Sequence, residues 1–498
     1  MAALGFLTAA VVFLALAAAY FDYTIDDAYI SLRYARNVAA GEGFVFDEAL
    51  PPVEGYTNFL WVLLEAAFFF LPSPGDVVLY AKLAGIAWGL GAVAAAFFLA
   101  RRVFGAAAGA FAALFIAATG NFAFWAVAGL ETTQYICLIL LALFFTLDAG
   151  RGANRALLAG LAWSAAALAR PEGFILGMAV LIFGLIAASG RRSRVNFVVA
   201  CLFLAIAYGI YFAWRWHYFG MALPNTFYAR GGITARSFVA RARGVLPFLA
   251  YAAPLAFLFV RFGRFRKDGG ARFLILAAAV SLALAFAAKR EWMPGFRYEL
   301  PFAAFLWISA AGAFAALIRS RSKAAAGVIT SLILLYVFIP GIFLFKEMSY
   351  TARLSRAHVA LAKWVARAAP AGSSLAAWDM GALPYFSRLP VVYDLNPEGL
   401  LSRETTRRGY NPEYFIGRRP SFFVLYSSRA DGVAAPPGNW AWRYYRSPAF
   451  KRAYEYLFTF SFREDYHLRV YVAPGVALSP ADLRGGAALA RLSRGRGS

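Results

Sequence analysis

The chain has 498 residues, 61% of them hydrophobic and only 15% charged, with a mean hydropathy of +0.61, which excludes an ordinary water-soluble domain and reads as a polytopic membrane protein. Its two cysteines, Cys137 and Cys201, both lie inside apolar runs, which argues against a disulfide framework or a cysteine-based metal centre. The formal net charge of +23 comes in clusters, and their positions along the chain set the orientation derived below.

Residues 4–21 form an apolar segment with no basic region before it and many similar segments after it, so it is read as a retained first span rather than a secretory signal. The passage 22–58 is the densest polar stretch before residue 150. Its adjacent carboxylates, Asp26 and Asp27, fall just past the span and so at the membrane surface, where a water-soluble group meets a lipid-borne one. Residues 28–40 carry Ile30, Tyr34 and Val38 on one helical face and Arg33, Arg36 and Asn37 on another, the pattern of a helix lying in the interface. Gly41 and Gly43 end it.

Residues 59–71 are apolar but short and closed by Pro72-Ser-Pro-Gly, as expected of an interfacial or re-entrant helix on the outer side. Ten further apolar segments follow, at about 77–100, 106–124, 132–148, 156–169, 173–189, 196–215, 245–261, 272–288, 300–318 and 325–345, making about eleven spans in all. The clusters Arg101/Arg102, Arg151/Arg155, Arg191/Arg192/Arg194, the run 261–272 and Arg319/Arg321/Lys323 fall at alternate connections. All five land on one side when the amino terminus is cytoplasmic. The outer connections are then 22–76, 119–131, 170–172, 216–244, 289–299 and everything after 345.

Residues 348–369 read as an amphipathic helix, and strand-like runs at 374–378, 391–395, 422–426 and 454–472 are separated by Gly and Pro turns. The expected fold class is therefore an all-α polytopic membrane domain, 1–345, with a C-terminal soluble α/β domain, 346–479. Residues 346–498 hold 22 Lys/Arg against 11 Asp/Glu, which draws this part toward anionic lipid or an acidic polymer. The Gly/Ala/Arg-rich stretch 480–498 is expected to be a disordered basic tail.

The polar residues collect on the outer side. One carboxylate of the Asp26/Asp27 pair suffices to cap the helix that follows, whereas a general base with a positioning or metal-holding partner makes use of both. Five further clusters map to the same face: Glu54, Tyr56 and Asn58 in 54–58; Glu131 in 129–132; Arg170 and Glu172 in 170–173; Asn225 and Tyr228 in 224–228; and Arg297 in 292–298. Each alone reads as a turn or helix end; their convergence marks a candidate substrate site. The loop 216–244 holds Arg230, Arg236, Arg241 and Arg243 without an acidic residue, which suits lipid headgroups or the phosphate of a lipid ligand. No Walker loop, dinucleotide fingerprint, zincin motif or nucleophile elbow is present. His217, His358 and His467 have no ligand spacing and read as surface or interface residues.

Taken together, DDAYISLRYARN (26–37), VEGYTNFLWVLL (53–64), GLET (129–132), ARPEG (169–173), LPNTFYAR (223–230) and MPGFRYELP (293–301) resemble the lipid-phosphosugar-dependent GT-C glycosyltransferases. Among these the chain is most similar to bacterial relatives of the terminal arabinofuranosyltransferase of mycobacterial cell-wall arabinan, and the likeness continues into AWDMGALPYFSRLPVVYDL (377–395). It departs after Asp394, where LNPEGLL stands. The resemblance implies a multispanning fold in the bacterial inner membrane, an outward active site with Asp26 and Asp27 at its centre, and a polyprenyl-phosphate sugar donor. The acceptor would be a cell-envelope glycan, lipid or protein; membrane lipids are expected partners and nucleic acid is not.

A sugar leaving a lipid phosphodiester departs on a phosphate monoester and needs no acid, while the acceptor hydroxyl needs a base. Asp26 is the expected base, with Asp27 orienting it or holding a divalent cation such as Mg²⁺ or Mn²⁺, and displacement in one step inverts the anomeric centre. Arg33, Arg230 and Arg297 are the candidates for the donor phosphate. The competing class is a transporter or flippase of a lipid-linked sugar.

Overall fold

The computed structural model describes residues 2–229, 235–262, 269–288, 293–319, 323–429, 433, 440–463 and 466–494. Helix α1 (Ala2–Ala19) is followed by α2 (Ala28–Ala39) and the short α3 (Phe59–Phe68). The bundle continues with α4 (Val77–Phe104), α5 (Ala106–Ala118), α6 (Gly120–Ala126), α7 (Thr132–Ala149), α8 (Ala153–Ala169), α9 (Glu172–Ala187) and α10 (Arg191–Phe219). After the single turn α11 (Asn225–Ala229) come α12 (Ala235–Phe262), α13 (Gly269–Ala287), α14 (Leu300–Ile318) and α15 (Lys323–Ala368).

By length and composition eight of the described helices can cross a bilayer, nine if α5 and α6, bent by 66°, count as one span. The sequence leads one to expect about eleven. The difference is α8 and α9, with 17 and 16 residues, which reach only about 24–26 Å at 1.5 Å per residue. Their ends nevertheless sit at the two levels that α7 joins. At one, Arg170 lies 3.7 Å from Glu131; at the other, Arg151 and Arg155 reach Asp148 at 2.6 and 3.4 Å, and Asn196 Nδ2 donates to the Gly150 carbonyl at 3.0 Å. The buried indoles of this core are satisfied locally: Trp163 Nε1 donates to Thr146 Oγ1 and Trp307 Nε1 to Thr119 Oγ1, each at 2.9 Å.

The expected last span and the expected amphipathic helix are one continuous helix, α15, of 46 residues, or about 69 Å. Lys346-Glu347-Met348 at the seam are good helix formers, so nothing there stops the turn. Beyond it the chain builds β1 (Ser374–Ala377), α16 (Ala382–Ser387), β2 (Val391–Asp394), α17 (Arg403–Arg408), α18 (Pro412–Gly417), β3 (Phe422–Ser427), α19 (Trp440–Arg446), α20 (Pro448–Ala453), β4 (Glu455–Arg463), β5 (Tyr466–Val472) and α21 (Pro480–Arg494). The sheet order is β2-β1-β3-β5-β4; β2 and β3 run parallel to β1, and β5 is antiparallel to both β3 and β4.

Alternation along β3 gives the sheet two apolar faces. Phe423 and Leu425 pack with Tyr444 and Phe450 on one side. Phe422 and Val424 pack on the other with Leu361 and Trp364 of α15, and the same core takes in Tyr34, Ala35, Phe46, Tyr56 and Val62. The segment after α1, which carries the aspartate pair, is thus folded into the C-terminal α/β domain. Arg33 pins the joint: its guanidinium donates to the Phe46, Pro384 and Leu389 carbonyls at 2.7–2.8 Å and to Asp47 at 2.8 Å. Four of its five N–H donors are spent in this way and the residue is 1% exposed, so Arg33 acts as scaffold, buried away from a donor phosphate.

The tail also differs from expectation. Residues 480–494 form α21, opened by a capping box in which Asp482 N–H donates to Ser479 Oγ at 3.1 Å and Ser479 N–H to Asp482 Oδ2 at 3.0 Å. Trp364 Nε1 of α15 donates to the Asp482 carbonyl at 3.0 Å. Residues 495–498 lie outside the described residues.

Candidate active site

The turn leaving α1 meets the turn leaving the carboxyl end of β1. Gly381 N–H donates to Asp26 Oδ2 at 3.0 Å and Ala382 N–H to Oδ1 at 2.9 Å; these N–H groups open α16 and have no partner inside the helix. A Cβ on residue 381 would run into the Asp26 carboxylate, so the approach requires glycine. From α15, His358 inserts between two carboxylates, Nδ1 3.6 Å from Asp26 Oδ1 and Nε2 3.4 Å from Asp379 Oδ2. Tyr466 OH donates to Asp379 Oδ2 at 3.0 Å. His358 is 1% exposed, whereas the Asp26 side chain keeps 21% of its surface open.

The electrostatics follow from this packing. Burial pushes Asp26 up, but His358 and the two backbone N–H donors outweigh it and hold the carboxyl below its ordinary value. Burial likewise pushes His358 down, and Asp379 and Asp26 more than reverse it, leaving the imidazole above the usual histidine value. Asp379 is raised, mainly by burial and further by Asp26. Asp27 occupies the N-cap position of α2 yet its side chain makes no capping hydrogen bond, so capping does not account for it.

The 129–132 turn flanks the pair. Ile25 N–H donates to the Ala128 carbonyl at 3.2 Å, and Gly129 supplies the positive φ of 84° that lets the chain reverse there. Glu131, 1% exposed, pairs with Arg297, sits 3.7 Å from Arg170 Nε and accepts from Asn58 Nδ2 at 3.0 Å. Asn58 bonds Ser31 of α2 at 3.0 Å, Arg297 Nε donates to Thr132 Oγ1 at 3.1 Å, and Arg170 reaches Glu172 at 3.4 Å. The structure thereby joins Asn58, Glu131, Arg170, Glu172 and Arg297 into one network of balanced charge, as buried charges near a bilayer require.

The remaining residues singled out in the sequence lie elsewhere. Glu54 forms a buried pair with Arg215, which ties its loop to α10 of the bundle, and Asn225 Nδ2 donates to the Gly399 and Leu400 carbonyls at 2.8 and 2.9 Å, which ties the 220–229 segment to the soluble domain. Tyr56 is buried beside Tyr34 and Phe219, and Tyr228 is exposed at the surface. Arg230 lies outside the described residues, and Arg241 is tied up with Glu299 at 2.7 Å. Sequence reasoning missed His358, Asp379 and Gly381. One signal existed: His358 falls on the same helical face as Leu361 and Val365, the buried stripe of the amphipathic pattern.

A polytopic helical bundle whose first outer loop is held against a mixed α/β domain defines a membrane protein of the GT-C glycosyltransferase fold. ArnT from Cupriavidus metallidurans, solved with undecaprenyl phosphate, is similar over 95% of this chain and 99% of its own, with a TM-score of 0.61 and 15% identity. The archaeal oligosaccharyltransferase AglB from Archaeoglobus fulgidus, solved with an inhibitory peptide and a dolichol-phosphate, covers 97% of this chain and 74% of its own, with a TM-score of 0.59 and 13% identity. In sequence, residues 66–216 match the dolichyl-phosphate-mannose-protein mannosyltransferase family, and residues 346–471 match a domain of unknown function, DUF8728. The terminal β-(1→2)-arabinofuranosyltransferase of Mycobacterium tuberculosis is 30% identical over 222 residues, 41% of this chain and 34% of that protein. The match thus spans about a third of that relative's length.

Proposed function

We propose that this chain transfers a sugar from a polyprenyl-phosphate donor to a hydroxyl of a cell-envelope glycan, lipid or protein on the outer, periplasmic face of the bacterial inner membrane. The observation that carries this reading is Asp26, ionised and partly open, fixed where the first outer loop meets Gly381, Ala382 and His358. The names of the similar proteins, which speak of lipid phosphates and of arabinofuranosyl and mannosyl transfer, support it.

The acceptor oxygen attacks the anomeric carbon, the bond to the phosphate oxygen breaks, and polyprenyl phosphate leaves with the electron pair. Attack opposite the leaving group inverts the centre. The acceptor proton passes to Asp26. A carboxyl held low is a weak base, so the transfer comes late, once the attacking oxygen has bonded to carbon and become acidic. His358 and the two N–H groups position Asp26 without touching substrate. Arg297, already paired with Glu131 in the buried network, and Arg230 are the two candidates for the phosphate; Arg297 would have to share its charge between Glu131 and the donor. A divalent cation, Mg²⁺ or Mn²⁺, if bound, would be held by Asp27 and would supply positive charge for the departing phosphate. Among the described residues no three His, Cys, Asp or Glu side chains gather into a metal-holding group, so these residues build no cage of their own.

The test is transfer by purified protein in nanodiscs, given radiolabelled polyprenyl-phosphate arabinofuranose or mannose and a neutral oligosaccharide acceptor. Labelled product together with released polyprenyl phosphate is expected. Movement of intact lipid-linked sugar across a vesicle bilayer without any transfer would establish the flippase instead.

A further inference from the structure

A recess opens beside Asp379. It is a cleft of about 330 Å³ in the soluble domain, lined by Trp378, Asp379, Tyr426, Trp440, Tyr466 and Leu468. Its place in the fold is informative. In the order β2-β1-β3 the chain goes from β1 to one neighbour and then crosses to the other, so the sheet reverses its winding between β1 and β3. Small-molecule sites in such sheets form outside the carboxyl ends of the strands at that reversal. Trp378 and Asp379 directly follow β1, and Tyr426 lies at the carboxyl end of β3.

The lining has a definite chemistry. Trp378 and Trp440 stack with centroids 4.7 Å apart and planes 20° apart, and Tyr426 and Tyr466 stand 5.3 Å apart. Aromatic faces are electron-rich and attract the weakly positive C–H face of a sugar ring, while a carboxylate and a phenol bond its hydroxyls. No Lys or Arg is among the described lining residues, which disfavours a phosphate or another anion. The volume is within the range of small-ligand sites, about 300–1,000 Å³. Asp379 joins the cleft to the catalytic junction through His358.

We infer that this cleft binds the acceptor as a neutral saccharide, with Trp378 stacking on a sugar unit and Asp379 accepting its hydroxyls. The inference rests on the transfer reading for the word acceptor, but the binding itself is testable without any donor.

Full-length protein in nanodiscs, free of lipid donor, is mixed with a linear arabinofuranosyl hexasaccharide, a mannotriose, or a neutral hexapeptide, and hydroxyl-radical labelling is read at Trp378. One of the saccharides is expected to lower labelling of Trp378 at least threefold and the peptide to leave it unchanged. No protection by either saccharide, or protection by the peptide, overturns the inference. In transfer assays Trp378→Ala is expected to raise the acceptor KM about tenfold or more with the donor KM unchanged, and Trp378→Phe, which keeps an aromatic face, to stay within about threefold of wild type. If Trp378→Ala does not fold, the labelling of wild-type protein decides alone. Normal transfer by Trp378→Ala with an unchanged acceptor KM removes the cleft and leaves the transferase. Saccharide protection in a protein that transfers from no lipid donor removes the transferase and leaves the cleft.

Discussion

Asp26 does two jobs at once, and a substitution separates them imperfectly. Both carboxylate oxygens accept a backbone N–H. Asn offers one acceptor, and its amide N–H would face a donor. Asp26→Asn should therefore lose about 10²–10⁴ in transfer rate from the missing base and about 1–3 kcal/mol of stability from an orphaned N–H. Rates must be compared per folded molecule; a loss below tenfold on that basis would return Asp26 to a purely structural role. The charge on His358 has its own signature. Its folded pKa is above the usual value near 6.5, so its stabilisation is complete below that pH and is lost as pH rises through the folded value. Asp26, held low, works in the other direction and loses its contribution only on acidification below about pH 4. Burial raises Asp47 to about 6 and Asp394 to about 7, so these also lower stability as pH climbs, between about 4 and 7. A further fall in thermal midpoint as pH rises above about 6.5 is then expected from His358, with Asp379, also raised, adding to it. It should shrink in His358→Leu, and a wild-type midpoint that does not fall above that pH would contradict a protonated His358.

At the level of single elements, what the sequence exposes is periodicity, and what it hides is continuity. Helix α2 is legible because Gly41 follows a clean amphipathic stripe, and β2 and β3 because β-branched and aromatic residues sit between turn signals, whereas β1 has neither and the run expected at 454–472 divides into β4 and β5. The fusion of the last span to the amphipathic helix is not, since a change from apolar to amphipathic composition leaves no mark when the backbone simply continues. Composition also misleads at the end of the chain. Gly485 and Gly486 suggest disorder, yet Ser479-Pro-Ala-Asp482 starts a helix there, and Gly486 brings that helix close to Phe458. Deleting residues 480–498 should then uncover Phe458 and Trp364, lowering stability by about 2–4 kcal/mol, read as an earlier denaturant midpoint. An unchanged midpoint would mean that α21 contributes nothing to the soluble domain.

Over the whole molecule, the basic loops give an expectation for the side of the membrane, whereas nothing local foretells the assembly of the site. The contacts that fix Asp26 and Arg33 join residues about 350 positions apart, to Gly381 and Leu389. No local pattern announces them. The network on Glu131 is an intermediate case, legible as a set of polar motifs but not as a set of partners. The orientation predicts that a cysteine at the exposed position Glu398 reacts with an impermeant maleimide in spheroplasts while one at Arg101 does not. The reverse labelling would invert the map.

Helix α15 begins among lipid-facing residues such as Val328, Leu332 and Leu335 and ends packed under the sheet, with His358 about 20 Å beyond its last apolar turn. One continuous helix, with Pro340 inside its apolar half, therefore has one end set by the acyl chains and the other by the carboxylates. On the proposed transfer reading, hydrocarbon thickness is then expected to act on the reaction, since a helix that tilts to match a thinner bilayer would carry His358 away from Asp26. Turnover should peak in vesicles of one acyl length and fall on both sides. Two Gly residues inserted after Glu347, which uncouple the halves, should flatten the curve; equal dependence on chain length in both proteins would show that the helix transmits nothing.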